Sequence, residues 1–416
     1  MRTLLDALIR RFLVTGTLTV RYPDGRTSVH RGAPGPHIIF HVSDWRAIRR
    51  MVTDPALAFG EGYMDGTIVP VGTSLYDALD LLLTNLAAGG RQPVMAVHNF
   101  LSRALKHWTQ FNPARRSRQN VAHHYDLDTR LYRLLLDPDM NYSCAYFEDG
   151  DETLAEAQRA KQRHIAAKLA LRPGMRVLDI GCGWGGLGLH LAQEHGAIVT
   201  GITLSEEQLA VARARAAPLG DRVRFELMDY RALQGNWDRV VSVGMFEHVG
   251  LPHYAGYFAA IRRALTPDGI ALVHAMGRSH GPAATNPWLA KYIFPGGYSP
   301  GLSEVLPAVE KSGLIMSDLE ILRLHYAETL RRWRANGDAH RAEILALYDA
   351  RFCRMFEFYL AGAELAFRRM GHVVWQMQLT RQIDAAPLTR GYMSESIPLI
   401  HSHPQAMALP GAVRMG

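Results

Sequence analysis

Alternation of apolar and polar positions divides the chain into two unlike parts. From residue 120 onward, short runs rich in Val, Ile and Leu recur at 176–180, 198–202, 223–227, 239–243 and 270–274. Amphipathic stretches of helical period separate them. Strand–helix alternation at this spacing predicts an α/β fold with a doubly wound, mostly parallel sheet. Ligands in such sheets bind at the carboxyl ends of the strands. A later run at 373–379, VVWQMQL, predicts one more strand. Between 280 and 350 the pattern breaks at Pro282, Pro287, Pro295, Gly296, Gly297 and Pro300, and amphipathic helices follow. This predicts an insertion that interrupts the sheet and covers its ligand-binding end, with a long helix over 343–370 after it. Residues 1–112 read differently. Period-two runs at 16–22 and 37–42, a turn at 23–25 and helices over 44–53 and 75–86 predict a small separate α/β domain. The polar, basic stretch 113–119 predicts the linker, and 120–416 the larger domain.

Composition narrows the classes. At 416 residues the chain is long enough for two or three domains. Lys and Arg exceed Asp and Glu by 46 to 39, a net charge of +7, carried mostly by arginine. A basic surface of this kind suits an anionic membrane or a nucleic acid. The three cysteines, Cys144, Cys182 and Cys353, form no C-x-x-C pair. Neither a disulfide framework nor a metal site is expected, and a cytoplasmic setting is the simpler one. Residues 1–14 carry Arg2, Asp6, Arg10 and Arg11 on a short apolar face and read as neither a signal peptide nor a spanning helix. No uncharged apolar run approaches the ~20 residues needed to span a bilayer, so contact with a membrane is expected from its surface.

The candidate chemistry starts at 177–186, VLDIGCGWGG. A buried-type strand ends in Asp179 and opens into Gly181, Gly183 and Gly185. Glycine lets the backbone turn sharply and lets a ligand approach a helix start with no Cβ in its way. The spacing is tighter than the dinucleotide G-x-G-x-x-G. It resembles motif I of the S-adenosylmethionine (SAM) methyltransferases. Other candidates at strand ends are Thr203, Asp229, Glu247 and His274.

Further stretches are more specific: HHYDLDTRLYRLLLD, YSCAYF, GITLSEEQ, MDYRAL, SVGMFEHVG, KYIFPGGY and FYLAGAELAF. Together they resemble the cyclopropane-fatty-acyl-phospholipid synthases, a SAM-dependent methyltransferase family that includes the mycolic-acid cyclopropane synthases. The resemblance implies the class I methyltransferase fold and an N-terminal domain, 1–112, that meets lipid or a second subunit. It also implies methylene transfer from SAM to the cis double bond of an unsaturated acyl chain in membrane phospholipid. Methyl transfer to an alkene generates a carbocation, and a base must then take a proton so that the ring closes. The family's base is bicarbonate. Its pocket carries over to Cys144, Glu247, His274 and Tyr359. Tyr359 and His274 are expected to donate hydrogen bonds, Glu247 to accept one or to orient His274, and Cys144 to lend a weak donor.

The implied SAM contacts are Tyr142, Ser143, Asp179, Gly181, Gly183, Gly185, Thr203, Gln208, Asp229 and Tyr230. Gln208 has two readings, since Ser205-x-x-Gln208 is also a helix capping box. The sequence lacks an acid after the second strand, as the family does. Taken singly, Cys144, His274 and Tyr359 also suit ordinary packed positions. An acid at 247 is costly to bury without purpose. The resemblance further implies a homodimer at the inner membrane surface. Two other readings stay open: a fatty-acyl C-methyltransferase making a methyl-branched product, and a non-catalytic lipid-binding protein. No base-flipping signature is present, so nucleic acid is not an expected partner.

Overall fold

The computed structural model describes residues 1–89 and 128–394. The expected linker at 113–119 and the tail beyond 394 lie outside them.

The front domain begins with α1 (Arg2–Phe12) and a hairpin, β1 (Thr15–Arg21) and β2 (Thr27–Arg31). Then β3 (Ala33–Val42) runs parallel to β1, and β4 (Ile68–Pro70) closes the sheet in the order β2-β1-β3-β4. The pattern had not suggested β2, because THR-SER-VAL-HIS-ARG buries only His30. Helices α2 (Trp45–Thr53) and α3 (Pro55–Met64) meet at Asp54, whose carboxylate caps α3 by accepting from the Leu57 N–H. Gly60 and Gly62 in α3 have no room for a Cβ: Trp288 fills the space at one and Ile68 at the other. Helix α4 (Leu75–Ala87) completes the domain.

The larger domain starts with α5 (Thr129–Leu135) and α6 (Leu154–Lys168), the latter opened by a reciprocal Thr153–Glu156 capping box. The expected alternation then appears as β5 (Arg176–Ile180), α7 (Gly186–His195), β6 (Ile198–Thr203), α8 (Glu206–Ala216), β7 (Val223–Leu227), β8 (Trp237–Val243), α9 (Tyr254–Ala264) and β9 (Leu265–Arg278). These five strands are mutually parallel. Strand β11 (His372–Thr380) pairs antiparallel with β9.

Three expectations change. The stretch 280–350 is not one lid. After α10 (Pro287–Tyr292) and α11 (Leu302–Ser312), Ile315–Leu322 forms strand β10, antiparallel to β11 at the sheet edge. The full order is β10-β11-β9-β8-β5-β6-β7. Its half-exposed, polar-rich pattern hid β10, as edge strands often do. The helix expected over 343–370 is two, α13 (Arg341–Leu347) and α14 (Ala350–Arg369), because Asp349 caps a new start at Phe352. Helix α12 (His325–Ala339) precedes them. Finally, β9 runs on to Arg278, so His274 lies inside a strand rather than at its end.

The two domains share one interface. Tyr76 donates to Glu364 at 3.0 Å, Arg369 pairs with Asp80 at 2.7 Å, and the Trp288 indole N–H meets the Met64 sulfur at 3.2 Å. Glu61, buried in α3, accepts from Arg50 and from Lys291 and Tyr292 of the FPGG-containing segment, the last two at 2.8 Å. An aromatic cluster above the sheet, including Tyr132, Trp184, Trp288, Trp333 and Tyr359, fills the space between α5, α12 and α14.

Candidate active site

The glycine turn shapes the first of three connected spaces. Gly181 and Gly183 take positive φ of 85° and 55°. A Cβ at 183 would meet no protein atom, and Gly183 itself lines the cavity. That cavity, about 130 Å³, is bounded by Tyr142, Ser143, Asp179, Gly181, Gly183, Thr203, Gln208, Asp229 and Tyr230. Nine of the ten expected cofactor contacts are thus brought together. Gly185 is the exception. It caps α7 with φ 83°, and Phe225 and Ala212 occupy its Cβ direction, so its smallness serves helix–sheet packing.

Gln208 forms one half of the expected capping box, and its side chain lines the cavity. Its N–H donates to the Ser205 hydroxyl at 3.2 Å, while its side chain accepts from Thr203 at 3.3 Å. The two carboxylate oxygens of Asp229 accept from Arg231, one from its backbone and one from its guanidinium, each at 2.9 Å.

Asp179 is buried at the end of β5 with Oδ2 unpartnered. Burial pushes its carboxyl up to about 7, against the pull of the Lys161 cation. Lys161 itself is 1% exposed, lines the same cavity, and donates to Ser143 Oγ at 2.9 Å and Asn141 Oδ1 at 3.4 Å. Desolvation lowers its amine to about 8. Two neutral oxygens are a thin shell for a buried ammonium. Position 161 on a polar helix reads as a solvated face, and only the packing of α6 under the 137–143 loop reveals it. That loop is held by Asp137, which accepts from the Asn141 backbone and amide, both at 2.8 Å.

The second space is a small chamber of about 30 Å³ lined by Tyr142, Cys144, Glu247, His274, Met276 and neighbours. A water needs roughly 10–15 Å³ on the same measure, so the chamber suits one small polar molecule. Glu247 Oε1 accepts from the Met276 N–H at 2.6 Å, which leaves Oε2 buried without a partner. Burial raises the carboxyl to about 7, the Met276 bond opposing. Glu247 therefore does not orient His274. Gln376 on β11 does, its amide meeting Nδ1 at 3.1 Å. With the amide donating, the ring proton sits on Nε2, which is buried and unpartnered. Burial holds the imidazole neutral, well below its ordinary range. The Cys144 thiol is already engaged, donating to the Ala145 carbonyl at 3.2 Å. Tyr359 does not line the chamber. Its hydroxyl meets that of Tyr142 at 2.9 Å and its ring faces the third space.

That third space is the largest, about 700 Å³, and mostly apolar. It runs between Leu79, Leu83 and Leu86 of the front domain, Trp288, Leu289 and Phe294, and the α14 face carrying Phe358 and Tyr359. Among the described residues only His248 lines all three spaces. Burial lowers its imidazole to about 4, so it is neutral there.

Residues 112–377 match the family model described as mycolic acid cyclopropane synthetase. The chain belongs to this family. Cyclopropane-fatty-acyl-phospholipid synthase of Escherichia coli is 38% identical over 338 residues, 81% of this chain and 86% of that protein. Tuberculostearic acid methyltransferase UfaA1 of Mycobacterium tuberculosis is 35% identical across 91% of each chain. The crystal structure of mycolic acid cyclopropane synthase CmaA1 complexed with SAH and CTAB superposes with a TM-score of 0.60 at 33% identity, covering 65% of this chain and 99% of that one. This cyclopropane synthetase family member is accordingly a SAM-dependent methyltransferase whose relatives act on lipid acyl chains. The SAH-bound relative supports SAM as the methyl donor. Within the family framework, Lys161, His248 and Gln376 are the residues that the motifs did not single out and the fold brings to the site.

Proposed function

We propose that the enzyme transfers a methylene group from SAM to the cis double bond of an unsaturated phospholipid acyl chain, with bicarbonate in the small chamber as general base. One observation carries this reading: three spaces of unlike chemistry meet at His248, and the smallest holds two buried, unpartnered polar atoms, Glu247 Oε2 and His274 Nε2. Orphaned buried polar groups are costly unless something completes them. When bound, SAM supplies an electrophilic methyl group and bicarbonate supplies the proton acceptor.

The chain's own residues do the rest. Asp179, Lys161 and the 181–183 backbone would hold the amino-acid end of the donor, and Asp229, Tyr230 and Arg231 its adenine end. His274 Nε2 would donate to a bicarbonate oxygen. Glu247, protonated up to about neutral pH, can donate as well, which removes the repulsion that two adjacent anions would suffer. Cys144 and Met276 line the same chamber. Tyr142 and Tyr359 would form the wall between donor and alkene, and their π faces, with Phe294, suit a developing cation.

The front domain is part of this reading. Its Leu79, Leu83 and Leu86 form one side of the apolar cavity, which supports a lipid-facing role for residues 1–112. Among the described residues no helix is long and apolar enough to cross a membrane, and the basic charge suits an anionic inner surface. We include a homodimer in the proposal, to be read by analytical ultracentrifugation.

A methyl-branching activity is a second reading, favoured by the 91% coverage of UfaA1. Extracting lipids from an expressing bacterium separates the two. Cyclopropanation predicts a 14 Da gain with loss of olefinic proton signals and new high-field ring protons. An exocyclic methylene or a methyl branch would overturn it.

A further inference from the structure

The large apolar cavity has one cationic side chain among its described lining residues, Arg278. It extends β9 beyond His274 and Met276 on the same face, since the three alternate with buried neighbours. At ~3.3 Å per strand residue, Arg278 lies about 13 Å along the strand from His274. Its guanidinium donates to the Ser299 carbonyl at 3.2 Å and the Ala284 carbonyl at 3.4 Å. No carboxylate of the described residues lies within ion-pair distance of it. The acids around it have other partners: Glu304, whose charge Arg278 feels, accepts from Tyr298 at 2.7 Å and from the Gly301 N–H at 3.1 Å, and of the two acids lining the cavity Glu247 accepts from the Met276 N–H and Asp54 from the Leu57 N–H. Directly opposite on β11 stands His372, which lines the same cavity and whose Nδ1 is buried without a partner. Burial, and then the Arg278 charge, keep that ring neutral. A half-buried guanidinium in an apolar cavity, hydrogen-bonded only to neutral carbonyls, is a cation without a paired anion.

We propose that Arg278, with His372, binds an oxyanion at the polar end of the aliphatic substrate, a lipid phosphodiester or a fatty carboxylate. This rests on reading the cavity as the acyl channel. The anchor fixes where along the chain the enzyme reacts, because the carbon delivered to the Glu247–His248 junction is set by its distance from Arg278. An internal double bond is thereby selected over one near either end.

Matched lipid pairs test it, read by tryptophan fluorescence of the full chain below micelle-forming concentrations. One pair is oleate and oleyl alcohol; the other is oleoyl-lysophosphatidylglycerol and monooleoylglycerol. Arg278→Met should weaken the charged member of at least one pair about tenfold or more while the neutral members stay within twofold. A loss confined to the lysophospholipid identifies the phosphodiester, and one confined to oleate identifies the carboxylate. Arg278→Lys keeps the charge but not the fork that pins Ser299 and Ala284, and should recover part of the loss. SAH affinity reports that each variant is folded. Equal weakening of charged and neutral lipids in both variants, or no weakening of either charged lipid, would overturn the anion site. If wild-type protein binds none of the four lipids, the acyl-channel reading falls with it.

Discussion

The cavity at the glycine turn, proposed for the donor, and the large apolar cavity, proposed for the acyl chain, share His248 yet are built in opposite ways. Residues 140–249 alone line the first. It is built mostly at one end of the sheet: a glycine turn after β5 and side chains at the ends of β6, β7 and β8, closed over by the 140–143 loop and Lys161. The second draws its walls from residues as far apart as Thr53 and His372, across both domains. One is shaped largely by backbone and is the less apolar of the two, the other is shaped by side chains and strongly apolar. A backbone-shaped site is vulnerable at single positions. A side-chain-shaped one is spread over many contacts and tolerant at each.

The sharpest way to separate the two is at the chamber between them. Glu247→Gln should lower turnover on the order of 10²–10⁴-fold and leave SAH affinity within twofold, since Glu247 does not line the donor cavity. Undiminished turnover would remove Glu247 from the chemistry. The same variant has a stability signature. Glu247 is an acid whose folded value, about 7, lies above its ordinary 4.5. The folded state therefore holds the proton more tightly than the unfolded chain. The penalty is absent below pH 4.5, grows as pH rises, and is complete above pH 7, at most about 3 kcal/mol. Glutamine carries no such penalty. The variant should thus melt a few degrees higher than wild type above pH 7, with the gain fading toward pH 4.5. A gain independent of pH would mean that the carboxyl is not perturbed in this way.

Gly183→Val attacks the donor side alone. The Cβ has open space, so the protein can fold around it, but φ 55° strains a β-branched residue at a position that lines the cavity. SAH binding should fall at least a hundredfold, while oleate binding to the apolar cavity stays within twofold. If SAH binds normally, the turn is not where the donor sits. Gly185→Ala sharpens the contrast from the opposite direction. Its Cβ meets Phe225 at 2.7 Å, so melting temperature should drop through the packing of α7 against β7.

Lys161→Met carries a smaller effect, about tenfold on SAH affinity. Methylthioadenosine, which lacks the amino-acid end, should bind the variant as it binds wild type. Equal loss for both ligands would make Lys161 a scaffold for the 137–143 loop rather than a partner of the donor's carboxylate.

The same contrast explains what the sequence made legible. Strand, acid and glycines at 177–185 are contiguous, so the turn announces itself, as do Thr203 and Asp229 at ends that the alternation predicts. Gly185 reads like its two neighbours because spacing does not say which side of a turn faces a cavity; only Phe225 at its back does. Lys161 and Gln376 were hidden, since a lysine on a polar helix and a glutamine in VVWQMQL carry no local sign of what they face. Strand β10 was hidden by its polar edge. The acyl cavity was the least legible of all: its leucines look like any helix core until α4 and α14 pack across it.

The smallest effect lies at the seam itself. Tyr142 lines the donor cavity and the chamber, Tyr359 lines the acyl cavity, and their hydroxyls share one 2.9 Å bond. The family resemblance gave Tyr359 a direct part in the base pocket, whereas the geometry makes the pair a single unit. Each ring is otherwise fixed by aromatic contacts, Tyr142 stacked on Trp333 at 4.9 Å and Tyr359 edge-to-face with Phe294 and Phe356 at 5.7 Å. Removing either hydroxyl deletes the same bond, worth about 1 kcal/mol, and leaves the rings in place. Tyr359→Phe and Tyr142→Phe should each lower turnover about fivefold. The double variant should be no slower than the slower single, because residues that share one interaction are not additive. If the losses multiply instead, the two hydroxyls act separately, and Tyr359 reaches the chamber on its own once the substrates are bound.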